Sequence, residues 1–425
     1  MIVRDAAWIA LGQGTVVVAG LAATRLLTTI LPPAVYGEVS LVMGIAALGL
    51  GLLCTPFLQA SLRSFPDARE AGQVGALRAL TRHFLHLGVT GVTLLLAVTG
   101  LAWGVVADTP VPFPAFLAAA AWVACDAWRT YESGFLNGAR RQKEYAARAA
   151  LDAIARPAAA VALALALGPE SLHVILGFAA GSALVSIALR RFTVQPGVEA
   201  GPDAAAAWSR EQRPGFLRYA LPLIPLAAMV WIMSVGDRYF LNMSWGPEVV
   251  GVYWAAYALG SQPFIAVNGL VHTTLRPVLY DAVARRDAAK ERRTLRVWFP
   301  LVIAIAFTGW ALITLLAGPL CTLLLGPAYR GAAEFLPWIA AAYALQMVQQ
   351  AFEIILYAHG ESRVLVALQA TAAVSAVGFY LLLIPSLAAK GAALGTLASI
   401  ALTTVVAAVV SGAARKLWGP LPAPG

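Results

Sequence analysis

The chain of 425 residues is 60% hydrophobic and only 12% charged, with a mean hydropathy of +0.76. A soluble protein of this length needs far more charge to cover its surface, so the composition excludes the ordinary soluble classes. The net charge of +9 does not indicate a nucleic-acid partner, because the basic residues gather between apolar segments rather than in one patch. The composition therefore predicts an integral membrane protein.

Apolar blocks of about 20 residues, the length of a helix that crosses about 30 Å of hydrocarbon, recur along the chain. The first block follows Arg4 without a convincing small-residue cleavage site after it, so we expect it to be retained as a span. The loops on the side of the membrane opposite the N-terminus are too short to hold a folded external domain. The blocks predict an all-α fold with about twelve transmembrane helices. Their approximate bounds are 7–29, 38–60, 84–106, 113–135, 146–167, 171–189, 219–243, 249–273, 297–318, 333–357, 364–385 and 391–412.

The Lys and Arg residues lie almost entirely on one side of these spans. If the N-terminus is cytoplasmic, only Arg330 and Lys390 fall in loops on the outer side. Such an asymmetry sets the orientation of a membrane protein, so both termini are expected in the cytoplasm and the basic loops are expected to contact anionic membrane lipids. Among the arginines within the spans themselves are Arg25, Arg129, Arg156 and Arg238.

An internal duplication relates the two halves of the chain. Residues 22–47 read AATRLLTTILPPAVYGEVSLVMGIAA and residues 236–261 read GDRYFLNMSWGPEVVGVYWAAYALGS; each stretch has an Arg, then a turn, then a second apolar run. Arg25 and Arg63 are separated by 38 positions, and so are Arg238 and Arg276. Duplicated halves of a polytopic protein usually meet around a substrate path.

The duplication predicts two pseudo-symmetric six-helix lobes around a central cavity. We expect residues 1–189 to form the N-terminal lobe and residues 219–425 the C-terminal lobe. Residues 190–218, which are rich in Ala, Gly and Pro in their first half, are expected to form a cytoplasmic linker between them.

Arginines at three related places are candidate anion-binding residues. An ionisable group inside the membrane costs about 2.5–3.5 kcal/mol and should therefore face protein or water. Arg25 has no acidic neighbour within one helical turn of sequence, and its planar guanidinium suits a phosphate in a wet cavity. The alternative is a carboxylate partner on another helix or the outer interface. Arg63 and Arg276 end spans at the cytoplasmic side, where positive-inside topology alone also places arginine.

The fourth and fifth spans carry charges of both signs at helical spacing. Asp126, Arg129 and Glu132 step by three, whereas a second series steps by four and comprises Glu144, Arg148, Asp152 and Arg156. Such ladders either neutralise one another and hold helices together or serve transport. Three acidic residues are candidates for coupling transport to protons or another ion: Asp126, Asp237 and Glu353.

Two spans have polar faces that suit sugar hydroxyls, although hydrogen bonds between helices explain part of the pattern. The face of the tenth span comprises Tyr343, Gln346, Gln350, Glu353 and Tyr357, with Gln349 alongside. The eighth span contributes a broader stripe of Tyr253, Tyr257, Ser261, Asn268 and His272. From these faces we select Gln346, Gln350, Glu353, Tyr253 and Tyr257 as candidate sugar-binding residues.

Motifs for enzymatic chemistry do not emerge from the sequence. We find no GxxxxGK[ST] phosphate-binding loop and no Ser/His/Asp arrangement with a loop to carry it. His83 and His86 have no nearby carboxylate or cysteine to complete a metal site. We therefore expect a transporter, with neither cofactor nor metal, rather than an enzyme.

The sequence resembles the bacterial polysaccharide-unit (O-antigen type) flippases, and the likeness rests on RLLTTILPPAVYGEVSL near the start and on the related stretch 236–261. These flippases belong to the multidrug/oligosaccharidyl-lipid/polysaccharide exporter superfamily. The resemblance implies a protein of the bacterial cytoplasmic membrane that moves an undecaprenyl-pyrophosphate-linked oligosaccharide for the cell envelope by alternating access. In related lipid II flippases, arginines at the places of Arg25, Arg63 and Arg276 face the pyrophosphate.

The resemblance also indicates the alternative functions and the expected partners. An ion-coupled multidrug exporter is the second hypothesis, and its pocket should be acidic; a membrane-embedded glycan polymerase or ligase is the third. For a flippase the expected partners are the polyprenyl-pyrophosphate-linked oligosaccharide, a coupling ion such as H⁺, and glycan-assembly proteins.

Overall fold

The computed structural model describes residues 2–106, 111–190 and 202–418. Over these residues the chain is helical and forms no β strand. It separates into two compact units, Met1–Trp231 and Ile232–Gly425. Each unit buries an apolar core of its own, since long apolar helices hide their small and branched side chains against one another.

The described residues of the first unit form nine α-helices, and prolines start several of them, because proline fits the first turn of a helix. Pro32 and Pro33 separate the first two helices, and Pro112 precedes the fifth. The helices are α1 (Ile2–Ile30), α2 (Pro33–Leu53), α3 (Thr55–Glu70), α4 (Val74–Val106), α5 (Phe113–Gly138), α6 (Gln142–Leu167), α7 (Ser171–Ala188), α8 (Pro202–Ala220) and α9 (Leu223–Trp231).

The second unit opens with a π-helical turn, Ile232–Gly236, and contains two very long helices that each break once. The first break is at Gly246, whose φ of 81° is readily adopted only by glycine, and the second is at Ala388, with φ of 50°. The helices are α10 (Asp237–Ala284), α11 (Ala288–Leu315), α12 (Ala317–Leu324), α13 (Leu336–Ala358), α14 (Ser362–Val410) and α15 (Ala413–Trp418), with a 3₁₀ segment at Pro327–Glu334.

The prediction of an all-α membrane protein is confirmed. Among the described residues, nine helices are long and apolar enough to cross a membrane. Two of these contain the breaks at Gly246 and Ala388, and therefore each supplies two of the predicted spans. The fourth predicted span corresponds to α5, a helix that carries Asp126, Arg129 and Glu132. The chain is thus a multi-pass membrane protein.

The predicted lobe boundaries and the central cavity stay predictions. Residues 191–201 of the expected linker lie outside the described residues, and α8, which follows them, packs on the first unit. Phe216 of α8 stacks with Phe57 of α3 and Phe84 of α4, at ring distances of 6.4 and 5.7 Å. Trp231 at the end of α9 donates a 2.7 Å hydrogen bond to the carbonyl of Gly44 in α2.

Charged side chains inside the first unit are paired with one another. Asp126 accepts hydrogen bonds from Arg129 at 2.9 and 2.7 Å, and Arg156 approaches its carboxylate at 3.4 Å. Asp152 lies 3.0 Å from Arg156 and 3.4 Å from Arg129. These two aspartates and two arginines form a neutral group, here called the α5–α6 ion cluster, which joins the two helices.

The longer ladder expected along α6 is only partly formed. Glu144 pairs with Arg141 at 3.0 Å instead of with Arg148, and Arg148 forms no ion pair within the described residues. The contacts within the α5–α6 ion cluster favour the interpretation that these charges hold helices together, because each charge is neutralised by a neighbour.

We expect Asp152→Asn to destabilise the protein, because Arg129 and Arg156 would then share a single carboxylate. The penalty should be about 1–3 kcal/mol, below that of a fully buried pair because both guanidinium groups keep partial exposure. Thermal unfolding of the purified protein in detergent measures the effect. The matched control is Asp281→Asn, whose pairs with Arg285 and Lys290 are exposed; equal losses in both variants would contradict a stabilising role for the cluster.

Candidate functional site

A cavity of about 180 Å³ lies within the second unit, between α10 and α13. Its wall combines amide, imidazole and phenol groups with apolar side chains and includes no carboxylate. The lining residues are Phe264, Ile265, Asn268, Gly269, His272, Tyr343, Gln346, Met347 and Gln350. The structure thus brings together five of the predicted polar residues of the eighth and tenth spans on facing helices of one unit: Asn268, His272, Tyr343, Gln346 and Gln350.

Two residues that line this cavity each have a buried polar atom without a hydrogen-bond partner among the described residues. The amide nitrogen of Asn268 donates to Oε1 of Gln350 at 2.5 Å, but Asn268 Oδ1 has no hydrogen-bond partner among the described residues. The same holds for Nε2 of His272. The Asn268 side chain is buried, with 8% of the residue exposed. Because buried polar atoms are normally hydrogen-bonded, these two point to a polar molecule or water in the cavity.

Arg276 lies one helical turn beyond His272 on α10, and therefore on the same face of the helix. Its side chain is exposed, and the guanidinium carbon lies 5.1 Å from the centre of the Tyr280 ring. Such a contact holds the guanidinium plane in place while its N–H edge stays available to an anion. The second unit therefore presents an amide-lined cavity and an arginine in succession along one helix.

Tyr253 and Tyr257, predicted to bind substrate, belong to a different network. The hydroxyl of Tyr253, which is fully buried, donates to Asp237 Oδ2 at 2.6 Å. The hydroxyl of Tyr257 bonds to that of Tyr343 and donates to the carbonyl of Ser234 at 3.2 Å. Neither residue lines the cavity, although Tyr257 touches it through Tyr343. Their direct contact with substrate stays a prediction.

Asp237 and Arg238 follow the π-helical turn and are both buried. Asp237 accepts a hydrogen bond from the backbone N–H of Arg238 at 2.9 Å in addition to that from Tyr253. The guanidinium of Arg238 lies over the rings of Tyr257 and Trp254, at 4.9 and 5.7 Å. The carboxylate and the guanidinium thus have separate polar and aromatic surroundings.

Glu353 is not among the polar residues of α13 that line the cavity. It is 7% exposed and accepts hydrogen bonds from Nε2 of Gln349 at 2.9 Å and of Gln369 at 3.4 Å. Thr403 of α14 donates to Gln349 at 3.2 Å and closes the network. Glu353 does not line the cavity, and its hydrogen bond from Gln369 of α14 places its carboxylate at the contact between α13 and α14.

The first unit contains a second cavity, of about 220 Å³, between α3, α5 and α6. The sequence did not predict it, because four of its nine polar lining residues are Ser or Thr, which are common in membrane helices and give little signal. Arg63 lies in the middle of α3, exposed, with its guanidinium carbon 4.5 Å from the centre of the Tyr219 ring. Arg25 is half-buried on α1.

The described residues contain no group of three or more His, Cys, Asp or Glu side chains able to hold a metal ion. The cysteines, Cys54, Cys125 and Cys321, are free.

Solved transporter structures share this fold over nearly the whole chain. The lipid II flippase MurJ in an inward closed conformation matches with a TM-score of 0.70 at 11% identity, covering 95% of this chain and 87% of its own. A multidrug resistance MATE family transporter of the MOP superfamily, in an inward-facing conformation, matches at 0.69 with 16% identity, covering 95% and 97%. A MOP superfamily transporter from Pyrococcus furiosus, described as having a binding pocket of reverse polarity, matches at 0.68 with 16% identity, covering 98% and 96%.

At these identities the structural likeness establishes the fold, and the sequence comparisons establish the family. No curated protein sequence matches the chain significantly. The family model described as "Polysaccharide biosynthesis protein" matches residues 2–283, which is well over half of the chain. The protein is therefore a member of the polysaccharide biosynthesis protein family with the fold of a MOP superfamily transporter.

Proposed function

We propose that the protein translocates a polyprenyl-pyrophosphate-linked oligosaccharide from the inner to the outer leaflet of the bacterial cytoplasmic membrane. The observation that carries the proposal is the cavity between α10 and α13, with the unpaired Asn268 Oδ1 and His272 Nε2 on its wall and Arg276 one turn beyond. Membership of a polysaccharide biosynthesis family and a multi-pass transporter fold support it.

The chemistry of this cavity matches a sugar next to a pyrophosphate. Amide and imidazole groups both donate and accept hydrogen bonds, as hydroxyl recognition requires. Arg276 would bind the pyrophosphate through charge-assisted hydrogen bonds. A pocket for a cationic drug needs a carboxylate, and none lies among the residues that line this cavity. The cavity therefore favours a flippase over a multidrug exporter.

The remaining candidate arginines would act on the same pyrophosphate. Arg63, exposed in the middle of α3, would capture it at the cytoplasmic side, and Arg25, half-buried on α1, would hold it deeper. The isoprenoid chain would stay in the lipid. MATE family transporters with this fold have been solved in inward-facing and outward-facing conformations, and we extend alternating access to this chain on that ground.

Glu353 is the best placed of the three candidates for coupling transport to protons. Asp126 is neutralised by two arginines, and Asp237 is bonded to Tyr253 and to a backbone N–H, whereas the hydrogen bonds to Glu353 come from neutral amides. An ionised carboxylate without a counter-charge is costly at this depth, and taking up a proton removes that cost. Movement of α13 or α14 would couple that protonation to access.

Arg276→Ala should slow flipping of the lipid-linked glycan in proteoliposomes. Loss of hydrogen bonds from a charged donor costs about 1.5–3 kcal/mol, so affinity should fall about 10- to 150-fold. The measurement is protection of the glycan from a membrane-impermeant glycosidase at sub-saturating substrate. Arg285→Ala, on an exposed residue of the same helix end, is the matched control and should flip normally.

Normal flipping by Arg276→Ala would refute the role of this arginine. A wild-type protein that leaves the glycan lipid in place but exports small cations would refute the proposed function in favour of a drug exporter. A change in glycan length with flipping intact would favour a polymerase or ligase.

Glu353→Gln should abolish the response of flipping to a proton gradient while leaving downhill exchange intact, since glutamine keeps the shape of the side chain but cannot release a proton. Initial rates are compared with and without an imposed pH difference across the vesicle. Glu361→Gln, at an exposed position between α13 and α14, is the control and should respond like the wild type. Retention of the gradient response in Glu353→Gln would rule out this residue as the proton carrier.

A further inference from the structure

The two cavities occupy corresponding positions in the internal duplication. Arg25 and Arg238 are 213 positions apart, and so are Arg63 and Arg276. The same displacement relates lining residues of the two cavities one to one. Thr55, Gln59, Thr130, Ser133, Gly134 and Asn137 in the first unit correspond to Asn268, His272, Tyr343, Gln346, Met347 and Gln350 in the second.

Helical spacing explains why the same positions line both cavities. In each unit, one wall comes from two residues four positions apart on α3 or α10, and these face the same side of the helix. The other wall comes from positions i, i+3 and i+7 on α5 or α13, which again share one face. The duplication has therefore preserved a polar cavity, although it has changed every lining side chain at these six positions.

The side chains that line the first cavity are of the chemical types that recognise uncharged sugars. Gln59, Ser133 and Asn137 supply amide and hydroxyl groups, and Tyr131 and Tyr145 supply aromatic surface. No carboxylate lies among the lining residues. Arg129 reaches the cavity, but its charge is balanced within the α5–α6 ion cluster, so it can donate hydrogen bonds without selecting for an anion.

An arginine stands at the same place beside each cavity. Arg63 lies one helical turn after Gln59, as Arg276 lies one turn after His272. Each guanidinium rests on a tyrosine ring of its own unit: Tyr219 at 4.5 Å for Arg63 and Tyr280 at 5.1 Å for Arg276. Tyr219 belongs to α8, outside the duplicated pair of helices, so the stacking arrangement has arisen from different parts of the chain.

We propose that the cavity between α3, α5 and α6 is a second saccharide-binding site, which takes one neutral sugar ring of the cargo through hydrogen bonds from Gln59, Ser133 and Asn137. The inference rests on the proposed function, because it assumes that the cargo is a lipid-linked glycan. Each unit then contributes one sugar site and one adjacent arginine, and a cargo with several sugars has two places at which hydroxyl groups are recognised.

The test compares two ligands on the full-length protein in nanodiscs. One is the polyprenyl-pyrophosphate glycan extracted from cells that make the protein, and the other is undecaprenyl pyrophosphate without sugar. Gln59→Ala and Asn137→Ala should each weaken binding of the glycan lipid about 2- to 10-fold, the effect of one lost hydrogen bond, and leave binding of the bare lipid unchanged. Arg63→Ala should weaken both.

Matched variants distinguish a failure of the second site from a failure of the proposed function. His272→Ala and Gln350→Ala occupy the corresponding positions in the second unit, and Thr322→Ala, whose exposed hydroxyl bonds only within its own helix, is the neutral control. Ser133→Leu fills the first cavity and should reproduce the selective loss with an unchanged melting temperature.

Two outcomes would refute the second site, provided that His272→Ala and Gln350→Ala weaken binding of the glycan lipid alone. In one, the first-unit variants bind both lipids normally. In the other, they bind both lipids equally less well. In both outcomes the proposed function stands. If the wild type binds the two lipids equally and does not flip the glycan, the proposed function fails, and the second site fails with it.

Discussion

A polar side chain inside the hydrocarbon layer must find a partner or a wet cavity, and this constraint governs where the functional groups of the protein lie. The cost of leaving such a group in lipid is several kcal/mol. In the first unit the constraint is met by charge pairing, with Asp126 and Asp152 held against Arg129 and Arg156. In the second unit it is met by neutral hydrogen bonds, and two atoms of the cavity wall remain unsatisfied.

Apolar block length was enough to predict the all-α membrane fold, because a helix that crosses a bilayer has a fixed length. The break at Gly246 was also predictable, since Gly followed by Pro interrupts an apolar run. The break at Ala388 was expected only as a gap between two blocks. Pro385 and Gly391 flank it, but alanine itself gives no signal for a positive φ, so the exact position of the break could not be predicted.

The candidate site was harder to predict than the fold, since helical faces drift with a period of 3.6 residues rather than 3.5. Glu353 followed the alternating three-and-four spacing of the tenth span and was grouped with Gln350, yet it bonds to Gln349 and Gln369. The sequence pattern did not indicate the cavity of the first unit, because a small and common residue such as Ser133 gives little signal. The displacement of 213 residues, already present in the spacing of the arginines, was the signal that could have revealed it.

The separation of charge types has a consequence for transport. Both cavities are lined without carboxylates, and the arginines follow one helical turn later, so the proposed sugar-binding and phosphate-binding groups occupy successive turns of the same helices. Glu353 lines neither cavity and accepts hydrogen bonds from amides of α13 and α14. A coupling ion could therefore bind to Glu353 and leave it without entering the cargo site. A negatively charged cargo would not compete with that ion for the carboxylate. This arrangement suits a transporter that carries an anionic lipid headgroup and draws its energy from a cation.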